Sequence, residues 1–70
     1  MKKVNPKIGQ TYEIDIAGRV STLLVLVLGE EDQEGKHRLV DLETGELWHM
    51  MCMEDHYKKE LSWITWTRIT

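Results

Sequence analysis

The sequence predicts a mainly β fold: a five-stranded small barrel or bent antiparallel sheet, with one short helical turn before the last strand. Apolar and polar residues alternate with a period of two in several short segments, which is typical of strands with one buried face. Glycine-containing turn sequences separate these segments. Because 70 residues allow only one domain, we expect residues 1–70 to form a single small β-barrel domain.

The first two predicted strands flank a short turn. Ile8–Ile16 alternates between apolar and polar residues, and Ala17-Gly18 fits a tight hairpin turn because Gly accepts positive φ without steric cost. Arg19–Leu28 is the second predicted strand, and Leu23–Leu28 is apolar at every position. A strand with two apolar sides is either central in a curved sheet or covered by a second surface.

An acidic loop and three further strands complete the predicted order. The loop Gly29–Gly35 contains four carboxylates, and Lys36–Glu43 is the third strand. A polar turn ending in Gly, which suits a bulged hairpin, leads to the fourth strand at Leu47–Met53. Glu54–Glu60 predicts a short helical turn, because its acids precede its lysines as a helix dipole favours. Ser62–Ile69, rich in Trp, Thr and Ile, is the last strand.

Five segments carry a resemblance to a known group of proteins. They are Ile8-Gly9 with Tyr12, Gly18-Arg19-Val20, Val25-Leu26-Val27-Leu28-Gly29, Asp41-Leu42-Glu43-Thr44-Gly45-Glu46, and the Met-rich strand with the helical turn after it. Together they resemble the small Src-homology-three-like barrels of Tudor or KOW type that bacteria, phages and mobile elements encode as stand-alone proteins. The short Ala17-Gly18 turn indicates the Tudor or KOW variety. The resemblance implies an accessory role, such as modulating a host protein.

The charge balance weighs against nucleic acid as a partner. Nine Lys and Arg face twelve Asp and Glu, for a net charge of -3, whereas phosphate contacts require a basic excess. The acidic total also weakens the RNA binding that a KOW resemblance implies. The alternative stays open that Lys2, Lys3, Lys7 and Arg19 contact phosphates while exposed aromatic side chains stack on bases.

Cysteine and histidine suggest neither a disulfide nor a strong metal site. Cys52 is the single cysteine and no signal peptide is visible, so we expect a reducing, cytoplasmic location. The longest apolar run has six residues, too few to span a membrane.

His49, Cys52 and His56 form a remote alternative as a metal or thiol site, but only His37 could complete the four ligands of a closed zinc site. We expect no metal, no cofactor, no small-molecule substrate and no catalysis.

Aromatic and methionine side chains give the favoured functional hypothesis. Trp, Tyr and Met are enriched at protein interfaces, and a chain this small cannot easily bury both sides of its second, fourth and last strands. The predicted partner-binding residues are Trp48, Met50, Trp63 and Trp66. We therefore expect a non-catalytic interaction module that binds a protein partner or forms a homo-oligomer.

Overall fold

A computed structural model describes residues 2–57 and 62–70, and in this part of the chain seven strands form one sheet. The strands are β1 (Lys2–Lys3), β2 (Thr11–Ile16), β3 (Leu23–Val27), β4 (His37–Asp41), β5 (Leu47–Met50), β6 (Met53–Tyr57) and β7 (Ser62–Arg68). Every neighbouring pair is antiparallel, and the order across the sheet is β1-β6-β7-β2-β3-β4-β5.

The sheet curls into a half-barrel around one apolar core. Alternate residues of the central strands point inward, as the burial of Leu23, Val25 and Val27 on β3 shows. The buried apolar residues are Tyr12, Ile14, Leu23, Val25, Val27, Leu39, Cys52 and Trp66. The prediction of a mainly β, bent antiparallel sheet is therefore confirmed, and the half-barrel fits a generic Src-homology-three-like barrel.

The prediction of five strands is wrong, because the predicted fourth strand is broken in two. Leu47–Met53 was expected to be continuous, but β5 ends at Met50 and β6 begins at Met53. At the break Cys52 is buried, and its carbonyl oxygen accepts a hydrogen bond from the Val4 N–H at 2.9 Å. This bond continues the pairing of the N-terminal segment, whose strand β1 the sequence pattern does not reveal.

The predicted helical turn at Glu54–Glu60 is also wrong in the part that the structure describes. Residues 53–57 are strand β6, which pairs with β7, while residues 58–60 lie outside the described residues. The Glu54 carboxylate accepts the Trp66 N–H at 3.0 Å, so it supports a strand contact instead of a helix start. Pairing with β7 thus overrides the local charge pattern. No helix in the described residues could cross a membrane.

The predicted second strand corresponds to β3, which starts later than the sequence pattern predicts. Ala17 and Gly18 do form a turn with Gly18 at a φ of 85°, but the connection continues to residue 22 and β3 begins at Leu23. Val20 is fully exposed in this connection. Arg19–Thr22 therefore belongs to a loop and not to the strand. The first strand likewise begins at Thr11 and leaves Ile8 exposed.

The turn between β4 and β5 follows the predicted bulged geometry. Asp41 is buried, and its Oδ1 accepts the N–H groups of Glu43 at 2.8 Å and Thr44 at 3.3 Å. Gly45 has a φ of 75°, and its N–H donates to the Asp41 carbonyl. The Asp41 N–H in turn donates to the Glu46 carbonyl at 2.8 Å, which fixes the register of β5 on β4.

Candidate interaction surface

The apolar run Leu23–Leu28, which contains β3, places leucines on both sides of the sheet. Leu23, Val25 and Val27 point into the core, so Leu24 and Leu26 point to the outer side, where they remain half-buried. Because only one side of the curled sheet encloses the core, the outer leucines are not covered by any strand of the described chain.

The register of β3, β4 and β5 joins these leucines to further aliphatic residues. Leu26 pairs with Val40, and Val40 pairs with Leu47, so the three form one row across the outer side. A second row joins Leu24 to Leu42, whose N–H donates to the Leu24 carbonyl at 2.9 Å. We call the outer aliphatic face the set Leu24, Leu26, Leu28, Val40, Leu42 and Leu47.

Exposure is highest at the β5 end of the outer aliphatic face. Leu47 is 75% exposed, against 47% for Leu42 and 43% for Leu28, while Val40 stays half-buried. Single exposed apolar residues are ordinary on protein surfaces, whereas a contiguous apolar group is a candidate interaction site. Strand register makes the outer aliphatic face contiguous.

A groove of about 410 Å³ is lined in part by Leu28 and Leu47 of this face. Its lining residues are Leu28, Arg38, Leu39, Leu47, Trp48 and His49. Arg38 and His49 are register partners on β4 and β5, and both are exposed. The groove therefore combines apolar walls with two basic side chains at its end.

Asp32 in the acidic loop holds the basic end of the groove in place. Its Oδ2 lies 2.6 Å from His49 Nε2, and its Oδ1 accepts the N–H groups of Lys36 and Glu34, both at 2.9 Å. The Lys36 N–H, followed by His49, lowers the pKa of Asp32 to about 2. The carboxylate is thus ionised at neutral pH and fixes the loop against β5.

The structure does not bring the predicted partner-binding residues together. Trp48 and Met50 are half-buried on the inner side of β5, against the core. Trp63 is 41% exposed on the outer side of β7. Trp66 is only 8% exposed, and its Nε1 donates to the Met53 carbonyl at 2.9 Å. As the opposite parity of the two tryptophans predicts, one faces the core and the other does not.

Trp66 packs within the core instead of presenting a binding surface. Its ring meets the ring of Tyr12 edge to face, with centroids 5.5 Å apart and an angle of 68° between the planes. This arrangement is a favourable one for aromatic pairs. Trp66 therefore supports the fold.

The basic residues of the nucleic-acid alternative lie in different parts of the fold. Lys2 and Lys3 form β1 beside β6, Lys7 precedes β2, and Arg19 follows β2 in the connection to β3. Lys3 forms an ion pair with Glu31 of the acidic loop. A phosphate group placed at the lysines would meet these carboxylates, so the described residues do not form one basic surface.

In the remote metal or thiol alternative, His49 and Cys52 lie in different environments. His49 is exposed and paired with Asp32, Cys52 is buried, and the side chain of His56 lies outside the described residues. Burial, together with the charge of Glu31, raises the pKa of the Cys52 thiol to about 11. At neutral pH the thiol is therefore protonated and a weak nucleophile or ligand. Among the described residues, no group of three His, Cys, Asp or Glu side chains could hold a metal ion.

The sequence pattern predicts a surplus of apolar residues, and the structure places aliphatic residues of this surplus on the outer side of the sheet. The signal was the run Leu23–Leu28, apolar at both parities, which places Leu24 and Leu26 outside the core. Val40 and Leu47 extend the surface only through strand register, which the sequence does not reveal.

Comparisons with known proteins give no relative from which a role could be carried over, since the chain matches no protein-family model, no curated protein and no solved structure.

Proposed function

We propose that the protein is a non-catalytic interaction module that binds a protein partner through the outer aliphatic face. The single observation that carries this proposal is the contiguous group of aliphatic side chains on the outer side of β3, β4 and β5. Covering such a surface removes apolar area from water, at about 25 cal/mol for each Å². The partner therefore presents an apolar surface of its own.

The polar border of the face supports the choice of a protein as the partner. Arg38 and His49 border one end, and the acidic side chains Glu43 and Glu46 lie in the turn at the other end. An apolar centre within a charged border is the usual composition of a protein interface. A partner with a carboxylate placed opposite Arg38 would fit this border best.

A finer assignment and a location belong to the same proposal. The order of strands and turns supports a resemblance to the stand-alone Tudor or KOW barrels of bacteria, phages and mobile elements, in which an accessory protein acts by binding, for example to a host protein. The single cysteine supports a reducing compartment, the cytoplasm.

The proposal is tested by capturing partners with matched surface variants. The double variant Leu42→Ser with Leu47→Ser removes two exposed members of the face, and Val20→Ser makes the same kind of change in the exposed loop before β3. Cross-linking and mass spectrometry would identify the proteins bound by wild type and by each variant. We expect a defined protein to be lost with the double variant and retained with Val20→Ser. A bound set that is the same for all three proteins would refute the proposal.

A further inference from the structure

Strand β5 forms one end of the sheet and offers an unpaired backbone edge. It pairs with β4 on one side and with no other strand of the described chain. An edge strand exposes a row of N–H and C=O groups that another strand can pair with. The strand is four residues long, so this row is short.

The hydrogen bonds of β4 show which groups of β5 point outward. The N–H of Leu28 donates to the Arg38 carbonyl, so Arg38 bonds toward β3, and the Asp41 N–H donates to Glu46 on the β5 side. Hydrogen-bonded and non-hydrogen-bonded pairs alternate along an antiparallel ladder. Trp48 and Met50 therefore bond to β4, and the N–H and C=O groups of Leu47 and His49 point to the open edge.

The two ends of the sheet differ in how they discourage pairing. Strand β1, at the other end, has two residues and both are lysines, and short lysine-bearing edges repel further strands. Strand β5 carries Leu47, Trp48, His49 and Met50, with neither Lys nor Pro, and Leu47 is 75% exposed. Of these two described edges, β1 is protected both by its shortness and by its lysines, whereas β5 is short but carries no lysine.

Charge favours one symmetric arrangement of two copies of this edge. An antiparallel pair centred on Leu47 sets it opposite the Leu47 of a second copy and joins the two aliphatic rows. The same arrangement brings Arg38, for which the described residues supply no ion-pair partner, toward the turn that carries Glu43 and Glu46 in the second copy. A pair centred on His49 would instead hold Arg38 away from the turn of the second copy, without this pairing of opposite charges.

We propose that a second copy of this chain occupies the β5 edge, in an antiparallel pair centred on Leu47. The inference rests on the proposed function in one respect: the joined row Leu26, Val40, Leu47 of both copies doubles the surface offered to a protein partner. A short edge pair covers far less than the about 1,600 Å² of a standard interface. The dimer is therefore weak, with a dissociation constant on the order of 0.1 to 1 mM.

Sedimentation over a range of protein concentrations tests the dimer. We expect the mass to rise from the 8.2 kDa of one chain toward twice that value as concentration increases into the millimolar range. Leu47→Lys should keep the protein at the mass of one chain, because lysine at an edge opposes pairing. The matched variant Val20→Lys should associate as wild type does. A wild-type mass that stays at one chain, or a dimer unchanged by Leu47→Lys, would overturn the inference.

Disulfide formation tests the register. With Cys52→Ala as background, Leu47→Cys would place two thiols across the symmetry axis, with Cα atoms about 5.5 Å apart, within disulfide range. His49→Cys would place its pair about 14 Å apart along the strand. We expect mild oxidation to link the first variant and not the second. Linkage of both alike, or of His49→Cys alone, would overturn the proposed register.

The same variants separate this inference from the proposed function. If wild type stays a single chain but still captures a protein through Leu42 and Leu47, the second copy is refuted and the interaction module stands. If the dimer forms but no capture depends on these residues, the inference stands and the protein-binding proposal fails.

Discussion

The two sides of strand β3 contain the same kinds of residue and lead to opposite outcomes. Leu23, Val25 and Val27 are buried against the core, while Leu24 and Leu26 on the other side remain partly exposed. The difference arises because the sheet curls around only one of its faces. Apolar character alone therefore does not decide which residues are buried, because the topology of the sheet determines which side the chain itself covers.

Replacing the aromatic residue of the core should produce the largest loss of stability. Trp66→Ala removes the ring that packs on Tyr12 and should lower the free energy of unfolding by about 3 to 5 kcal/mol. A small domain has only about 5 to 15 kcal/mol in total, so we expect this variant to be largely unfolded in mild denaturant. Circular dichroism in urea would measure it. The partly exposed Trp63 is the control, and an equal loss for Trp63→Ala would contradict the assignment of Trp66 to the core.

A matched pair of leucine variants compares the two sides directly. Leu39→Ala acts on a fully buried inner residue and should cost about 2 to 5 kcal/mol, whereas Leu42→Ala on the outer side should change stability by no more than about 0.5 kcal/mol. Thermal unfolding measures both. Equal losses would show that the outer aliphatic face serves the fold instead of a partner.

The cysteine at the break between β5 and β6 reports on burial of the inner side. Because burial raises the pKa of Cys52 to about 11, the thiol should react with an aromatic disulfide reagent at pH 8 at least tenfold more slowly than in the urea-unfolded chain. Spectrophotometry of the released thiolate gives both rates. Similar rates in the two states would mean that the break is open to solvent.

The sequence pattern predicts much of the core but does not predict the outer aliphatic face. The alternation around Tyr12 and Ile14 and the double parity of Leu23–Leu28 follow from local pattern, and both predicted a strand and a surplus of apolar residues. The break at Met51–Cys52 and the strand β6 depend on pairing with β7, which is near in sequence, and with β1, which is distant, and the local charge pattern at Glu54 and Asp55 predicts neither. That residues 1–70 form one independent domain stays a prediction.

The sequence pattern does not predict the outer aliphatic face, because its residues come together only through strand register. No local spacing places Val40 between Leu26 and Leu47, since the three come from different strands. Trp66 was expected at a surface because indoles are frequent at interfaces, but its N–H meets the Met53 carbonyl within the fold. Residue type thus predicts a surplus of apolar side chains, and strand pairing determines which of them lie together on the outer side.

Acid titration of Asp32, which contacts His49 at the border of the outer aliphatic face, should give the smallest effect. The pKa of Asp32 is lowered from 3.8 to about 2, so its contribution to stability is present above pH 4 and is lost as the pH falls toward 2. NMR titration should give a midpoint near 2. His49→Gln should raise this midpoint while leaving it below 3.8, because the Lys36 and Glu34 N–H groups remain. A wild-type midpoint at 3.8 would contradict the hydrogen bonds that Asp32 accepts from the Glu34 and Lys36 N–H groups.

Photo-cross-linking in the cells that produce the protein tests the outer aliphatic face most directly. A photoreactive leucine analogue at position 42 lies on this face, and the same group at position 20 lies on an exposed loop outside it. We predict a defined cross-linked protein from position 42 and none from position 20. Identical products from both positions, or none from position 42, would contradict the assignment of this face as a docking surface.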